Sequence, residues 1–260
     1  MYLNIFHINI NITQIVTSLI LIIILGYLSS CEPGNSRKFN AENSDPKAVE
    51  IADQVIEAMG GYKSWDNTRH ISWNFFESRK HFWDKKTGDV RIESLKDDLI
   101  ILMNINSEKG EVYKDGKIME NSDSITNYLD QGKNFWINDS YWLIMPFKLK
   151  DPGVTLKYIG EEDVNGKKAD VIQITFEDVG ATPENKYHVY VDQEDKLVTQ
   201  WAFFRQANQE QPDFMSPWQD YNKYGEILIS GNRGESSLSN ISVHNSLPKK
   251  VYNSFEPVSL

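Results

Sequence analysis

Possible metal ligands, paired carboxylates and one cysteine are the side chains with which this 260-residue chain could do chemistry. The histidines are His7, His70, His81, His188 and His244. No two stand at the i,i+2 or i,i+4 spacing that places a pair of ligands on one face of a strand or helix. The single cysteine, Cys31, adds too few thiols for a zinc centre and none to pair with, so neither a metal, a cofactor nor a disulfide framework is expected. Asp192-Gln193-Glu194-Asp195 lacks the glycine and closing glutamate of a calcium loop and reads as a hairpin turn. Gly160 and Gly166 are separated by five residues, and Lys168 stands where a phosphate loop needs Ser or Thr. The pairs Asp97-Asp98, Glu161-Glu162 and Asp192 with Glu194 are of the kind that arises by chance on solvated turns of a chain carrying a net charge of −10. No Gly-x-Ser-x-Gly elbow exists. No catalytic residue is assigned, and the chain is read as non-enzymatic.

Cys31 has a different chemistry. Residues 1–30 contain no Lys, Arg, Asp or Glu, and from Ile15 to Leu28 they are almost continuously apolar. That run has the length of a signal h-region and is short for a membrane-spanning helix, which needs about 20 apolar residues. It ends at Leu28-Ser29-Ser30-Cys31, which reads as a lipobox, with Cys31 the thiol that takes a diacylglycerol. Residues 1–30 are then a lipoprotein signal peptide, 31–44 a polar tether rich in Asn, Ser, Gly and Pro, and 45–260 one domain. The implied location is the bacterial cell envelope, lipid-anchored to a membrane, the outer membrane by expectation, on its periplasmic or surface side. The acidic balance argues against nucleic acid and against binding anionic head groups by charge, so the lipid supplies the attachment.

The domain that must position anything further reads as mainly β with some helix. Asp45 is placed to cap a helix with Pro46 at its first position and Val49, Ala52, Val55, Ile56 and Met59 as its apolar stripe, stopped at Gly60-Gly61. After Asp66 the period becomes two, and turns such as Asp115-Gly116 and Asn165-Gly166 mark hairpins of an antiparallel meander. Strands are expected near 69–83, 89–95, 99–106, 111–114, 117–119, 154–163, 168–177, 186–192, 196–206, 224–230, 236–244 and 249–254. A helix capped by Ser122 or Asp123 is expected to Trp136, followed by a short buried helix over Tyr141 to Met145 that ends before Pro146.

Several strands are apolar on both faces: Ile101 and Met103 point one way, Ile100 and Leu102 the other. Both faces of an antiparallel sheet with that pattern must be covered, by a helix, a second sheet or a ligand. With 12 Phe, 12 Tyr and 7 Trp, the chain has the aromatic surface to line an apolar cavity as well as to fill a core. Trp73, Phe75, Ile101, Met103, Trp142, Met145 and Phe147 are the candidate cavity residues.

Met59-Gly60-Gly61-Tyr62-Lys63-Ser64-Trp65-Asp66-Asn67-Thr68, Phe82-Trp83-Asp84-Lys85-Lys86-Thr87-Gly88, the segment from Asn138 to Leu149 and Ser254-Phe255-Glu256-Pro257-Val258 together resemble a family of uncharacterised lipoproteins from Bacteroidota, a domain of unknown function. That family is similar to the LolA/LolB-like superfamily. The resemblance implies an antiparallel half-open β-barrel wrapped around a few helices, enclosing an apolar cavity for an acyl chain or other lipophilic molecule, without catalysis. The lipobox puts the chain nearer in topology to the tethered acceptor LolB than to the soluble carrier LolA. A monomer is expected. The rival reading is a cell-surface scaffold that recognises a glycan or partner protein through exposed aromatics such as Trp83, Trp201 or Trp218; an enzyme would need a polar cleft with converging carboxylates and histidine.

Overall fold

The computed structural model describes residues 39–177 and 182–259. Cys31 and the lipobox residues Leu28, Ser29 and Ser30 lie outside the described residues.

The first helix, α1 (Pro46–Ala58), buries Ala48, Ile51, Ala52, Val55 and Ile56. Asp45 stands at its N-cap position, but its carboxylate leaves the helix and accepts from the Tyr158 amide at 2.9 Å, tying the helix start to a strand. Gly60, in the left-handed region at φ 110°, ends α1, and a side chain there would run into the Glu226 carbonyl at 2.4 Å. The chain does not leave helical structure at this point as its glycine pair suggests: α2 (Gly61–Asn67) follows directly.

Six strands then run in order: β1 (His70–Phe75), β2 (Arg79–Asp84), β3 (Asp89–Ser94), β4 (Leu99–Asn104), β5 (Lys109–Lys114) and β6 (Lys117–Ile118). The single strand expected over 69–83 is two, folded at a turn in which Ser78 N–H donates to Phe75 O at 2.8 Å, with Phe76 at φ 45° and Glu77 at φ 51°. Helix α3 (Ser122–Ile144) is one continuous rod rather than two pieces. Asn121, not Ser122 or Asp123, caps it by accepting from Ser124 N–H at 2.9 Å. It runs into a 3-10 turn, Met145–Lys148, at Pro146.

The second half supplies β7 (Val154–Val164), β8 (Lys167–Phe176), β9 (Lys186–Asp192), β10 (Val198–Phe204), β11 (Phe214–Pro217), β12 (Gln219–Tyr224), β13 (Ile227–Arg233) and β14 (Ser236–His244). Strands β7 to β11 form a five-stranded antiparallel sheet. Strands β12 to β14 return to pair with β1, making a nine-stranded sheet in the order β12-β13-β14-β1-β2-β3-β4-β5-β6. Asp115-Gly116 (φ 50° and 83°) and Asn165-Gly166 (φ 55° and 83°) form their hairpins with both central residues left-handed, as a type I′ turn requires.

Neither sheet closes on itself. The two curl about α3 as a half-open antiparallel barrel, so the fold is mainly β with a few helices. Both coverings of β4 are resolved in turn. Ile101 and Met103 lie under α3, with Gly132 so close that a methyl group there would sit 3.1 Å from each. Leu102 shares the opposite face with Phe82 and Arg91. That face is covered by the C-terminal segment, where the expected strand at 249–254 is instead α4 (Lys250–Asn253). Arg91 fastens it by donating to the carbonyls of Ser254 at 2.5 Å and Glu256 at 3.1 Å.

Candidate functional site

The site is built around α3, whose two ends meet different surroundings. Along its first half, Leu129 and Gly132 press onto β4 and β5, and Trp136 meets the edge of Trp83 at 5.3 Å. Midway, the helix drives a carboxylate into the sheet. Asp139 accepts from Arg79 through Nε at 2.7 Å and Nη2 at 3.0 Å, from His81 Nε2 at 2.7 Å and from Asn138 at 2.9 Å. Both His81 and Asp139 are fully buried, and the Trp73 ring stacks flat on the imidazole at 4.5 Å. Burial works against the Asp139 charge, yet the His81 and Arg79 hydrogen bonds outweigh it and hold the carboxyl below its usual range. Burial dominates at His81 and pushes its pKa down, so the ring is neutral and gives its one N–H to Asp139; its Nδ1 has no partner. With His81 and Asp139 buried and Arg79 at the edge of a groove, this group joins helix to sheet.

A second polar cluster sits on the outer face. Asp84 accepts from Arg69 at 2.9 Å and from the Lys86 amide at 3.0 Å, while His70 Nδ1 meets the Tyr252 hydroxyl at 2.9 Å. Ser72 Oγ lies 3.3 Å from His244 Nε2. Serine, histidine and aspartate are thus neighbours, but the aspartate is spent on Arg69 and the turn amides rather than on orienting His244. Nucleophilic catalysis needs that orientation. Among the described residues no group of three or more His, Cys, Asp and Glu could hold a metal ion.

The last turns of α3 differ from both. Tyr141 and Trp142 meet the five-stranded sheet through an aromatic cluster: Trp142 meets Trp201 edge-on at 4.7 Å, Trp201 stacks on Tyr187 at 4.9 Å, and Trp201 meets Trp218 at 5.4 Å. Two clefts remain beside these rings. One, of about 220 Å³, is lined by Trp136, Tyr141, Val154 and Phe176, with the ion pair of Lys148 and Asp151 at its lip. The other, of about 400 Å³, is lined by Phe76, Trp142, Phe214 and Met215, with Arg233 among its polar residues. Phe214 and Met215 are 42% and 49% exposed, large apolar surfaces left in water beside a cleft. Burial raises the Tyr141 and Tyr187 hydroxyls, which stay protonated at neutral pH.

Phe76 reaches this cleft through a strained turn. A bulky residue at positive φ is an outlier that surrounding structure must enforce, at about 1–3 kcal/mol. Here the enforcement is aromatic: the Phe76 ring stacks on Phe75 at 4.1 Å and meets the edge of Trp142 at 5.2 Å.

Of the candidate cavity residues, Trp142 lines the larger cleft. Ile101 lies at the foot of a separate groove of about 240 Å³ beside Arg79 and Phe135. Trp73, Phe75, Met103, Met145 and Phe147 are packed in the core at 6% exposure or less. Phe76, Tyr141, Phe214 and Arg233 line clefts without having been singled out in the sequence; the one local sign was the aromatic density around Trp142. Trp83, Trp201 and Trp218, the rings on which a surface-recognition reading depends, are 8%, 1% and 1% exposed and point into the core.

These features define a half-open β-barrel with aromatic-lined clefts beside its central helix. No known protein family and no curated protein matches the chain. Among solved structures it is similar to a DUF1329 family protein from Desulfovibrio piger, at 12% identity over 80% of this chain and 98% of that one, with a TM-score of 0.44. It is also similar to a LolA superfamily protein from Nitrosomonas europaea, at 12% identity over 79% of this chain and 96% of that one, with a TM-score of 0.40.

Proposed function

We propose that this chain is a non-enzymatic envelope lipoprotein, held to a membrane through a diacylglyceryl thioether on Cys31, whose domain at 45–260 takes up an acyl chain or similar lipophilic molecule. The observation that carries the reading is the cleft of about 400 Å³ framed by Phe76, Trp142 and Phe214. Its volume falls in the range of about 300–1,000 Å³ typical of small-molecule sites. Trp142 and Phe214 face each other as parallel rings, 7° apart in plane with centroids at 6.1 Å. Each methylene that leaves water against the exposed faces of such rings contributes about 0.8 kcal/mol. The export signal expected at 1–30 and the polar tether expected at 31–44 support the envelope location, with the outer membrane as the destination and a monomer as the working unit.

A fluorescent fatty-acyl probe tests the binding. The domain is expected to bind it saturably, and Trp142→Ala together with Phe214→Ala to weaken it about tenfold or more. A wild-type domain that leaves the probe in solution refutes the reading. Intact mass of membrane-extracted protein tests the anchor separately: cleavage before Cys31 with an added diacylglycerol supports it, and an unprocessed N-terminus overturns it.

A further inference from the structure

The larger cleft contains a charge that the apolar reading does not use. Arg233, the last residue of β13, lines it and is only 5% exposed. Every other arginine among the described residues has a carboxylate: Arg69 has Asp84, Arg79 has Asp139, Arg91 has Glu93 and Arg205 has Asp213. Arg233 has none. Its Nη1 donates to Ser230 Oγ at 2.9 Å and Asn232 O at 2.7 Å, and its Nη2 to Trp142 O at 2.7 Å and Ser230 O at 3.1 Å. All four acceptors are neutral. The fifth donor, Nε, is buried without a partner.

A buried cation that meets only neutral dipoles keeps most of its desolvation penalty, because carbonyls cannot return what a counter-charge would. The guanidinium is nonetheless fixed in place. It lies 3.4 Å over the Trp218 ring, and its bond to Trp142 O ties it to the end of α3. Burial lowers it to about 9, which leaves it fully charged at pH 7. The hydroxyl residues Ser216 and Ser236 line the same cleft, and its one acid is Glu235, exposed.

We propose that the missing counter-ion is the ligand's own: Arg233 makes this cleft selective for amphiphiles with an oxyanion head, a carboxylate or phosphate ester, whose chain lies along Phe76, Trp142 and Phe214. This rests on the lipophilic reading and adds the head group to it. The charge is held beside the aromatic frame, so a head group near Arg233 leaves the attached chain against the rings. Charge-assisted hydrogen bonds formed away from water are the strong ones, so the head group discriminates more sharply than the chain.

Calorimetry with four probes tests this: a straight-chain fatty acid, the alkyl phosphate of equal chain length, the methyl ester of the acid, and inorganic phosphate alone. The acid and the alkyl phosphate are expected to bind about tenfold or more tightly than the ester. Arg233→Gln should erase that difference, bringing the acid and the alkyl phosphate down to the level of the ester. Glu235→Gln, which leaves Arg233 and its bonds intact, should strengthen the acid several-fold and not the ester, and so tests the charge even if Arg233→Gln fails to fold. Equal affinity for acid and ester overturns the head-group assignment and leaves apolar binding standing. Inorganic phosphate binding as tightly as the alkyl phosphate overturns the amphiphile. No binding by any probe, ester included, overturns both readings.

Discussion

The two halves of α3 do opposite things to the sheets beside them. Over β4 and β5 the helix presents Leu129 and Gly132, and it comes close enough for Gly132 to touch Ile101 and Met103. At its other end Tyr141 and Trp142 meet the rings of Tyr187 and Trp201, and clefts of about 220 and 400 Å³ lie beside them. One rod thus meets one sheet through smaller residues, with a groove of about 240 Å³ beside Ile101, and the other through large rings, with the two clefts beside them. The size of the residue at each helix–sheet contact matters because interiors pack to near-crystal density and a large rigid ring at a contact sets the spacing around it.

The joint between the halves is Asp139, and removing it should have the largest effect. Asp139→Ala strands the fully buried His81 beside the Arg79 guanidinium, a charge that has lost its acceptor, and is expected to cost about 3–5 kcal/mol in urea denaturation. A loss below about 1 kcal/mol would mean that the apolar contacts of Leu129, Gly132 and Trp136 hold the helix without the buried carboxylate.

Acid should loosen the same joint by two routes of equal sign. His81, with His70, His188 and His244, is pushed below the ordinary 6.5 by burial. The unfolded chain therefore takes up protons that the folded one refuses, and stability falls as pH drops below 6.5. For His81 alone the slope approaches about 1.4 kcal/mol per pH unit. The carboxyls of Asp84 and Asp139 are also held low, burial being outweighed by Arg69 in one case and by His81 and Arg79 in the other. Their contribution is complete above the unfolded carboxylate value and disappears as pH falls through their own. Thermal melts should show full stability above about pH 7 and a decline starting near 6.5. Constant stability from pH 7 to 5 would contradict the buried neutral histidines.

Filling the close contact at Gly132 is a smaller perturbation. Gly132→Leu inserts a side chain where even a Cβ meets Ile101 and Met103 at 3.1 Å. It is expected to cost about 1–3 kcal/mol and to leave acyl-probe affinity at the far end of the helix within about twofold. A matching loss of affinity would show that the two ends of α3 move together.

The contrast between the halves was only partly legible in the sequence. Hairpins at Asp115-Gly116 and Asn165-Gly166 were readable because positive φ at both positions demands those residue types. The alternation of Ile101 and Met103 against Ile100 and Leu102 announced two covered faces, but not that one cover is a short C-terminal helix, since Val251 and Tyr252 are residue types that favour a strand. Gly132 reads as a helix weakener until β4 is placed against it. Asp139 pairs with partners 58 and 60 residues away and leaves no local pattern. Arg233 looks like any cation before a turn, because what distinguishes it is the absence of a carboxylate in space. The turn at Phe76-Glu77 was hidden for the opposite reason: Phe75 and Phe76 favour a strand, and tertiary contacts override them.

That turn offers the smallest change and the sharpest test of the open side. Phe76 and Glu77 occupy left-handed backbone at φ 45° and 51°, a geometry that Asn-Gly adopts without penalty. The double substitution Phe76→Asn with Glu77→Gly relieves the backbone and removes the ring that meets Trp142. If strain were the only issue, the protein would gain stability and keep its affinity. Because the ring also frames the larger cleft, the expected outcome is divided: a stability gain of about 1 kcal/mol and a several-fold loss of acyl-probe affinity. Replacing Phe76 alone by Asn, and separately Glu77 alone by Gly, divides the two effects further. The Glu77 change should carry stability without touching affinity, since the Phe76 ring stays against Phe75 and Trp142. Affinity unchanged in both Phe76 variants would remove Phe76 from the site and leave its strained backbone without a functional account.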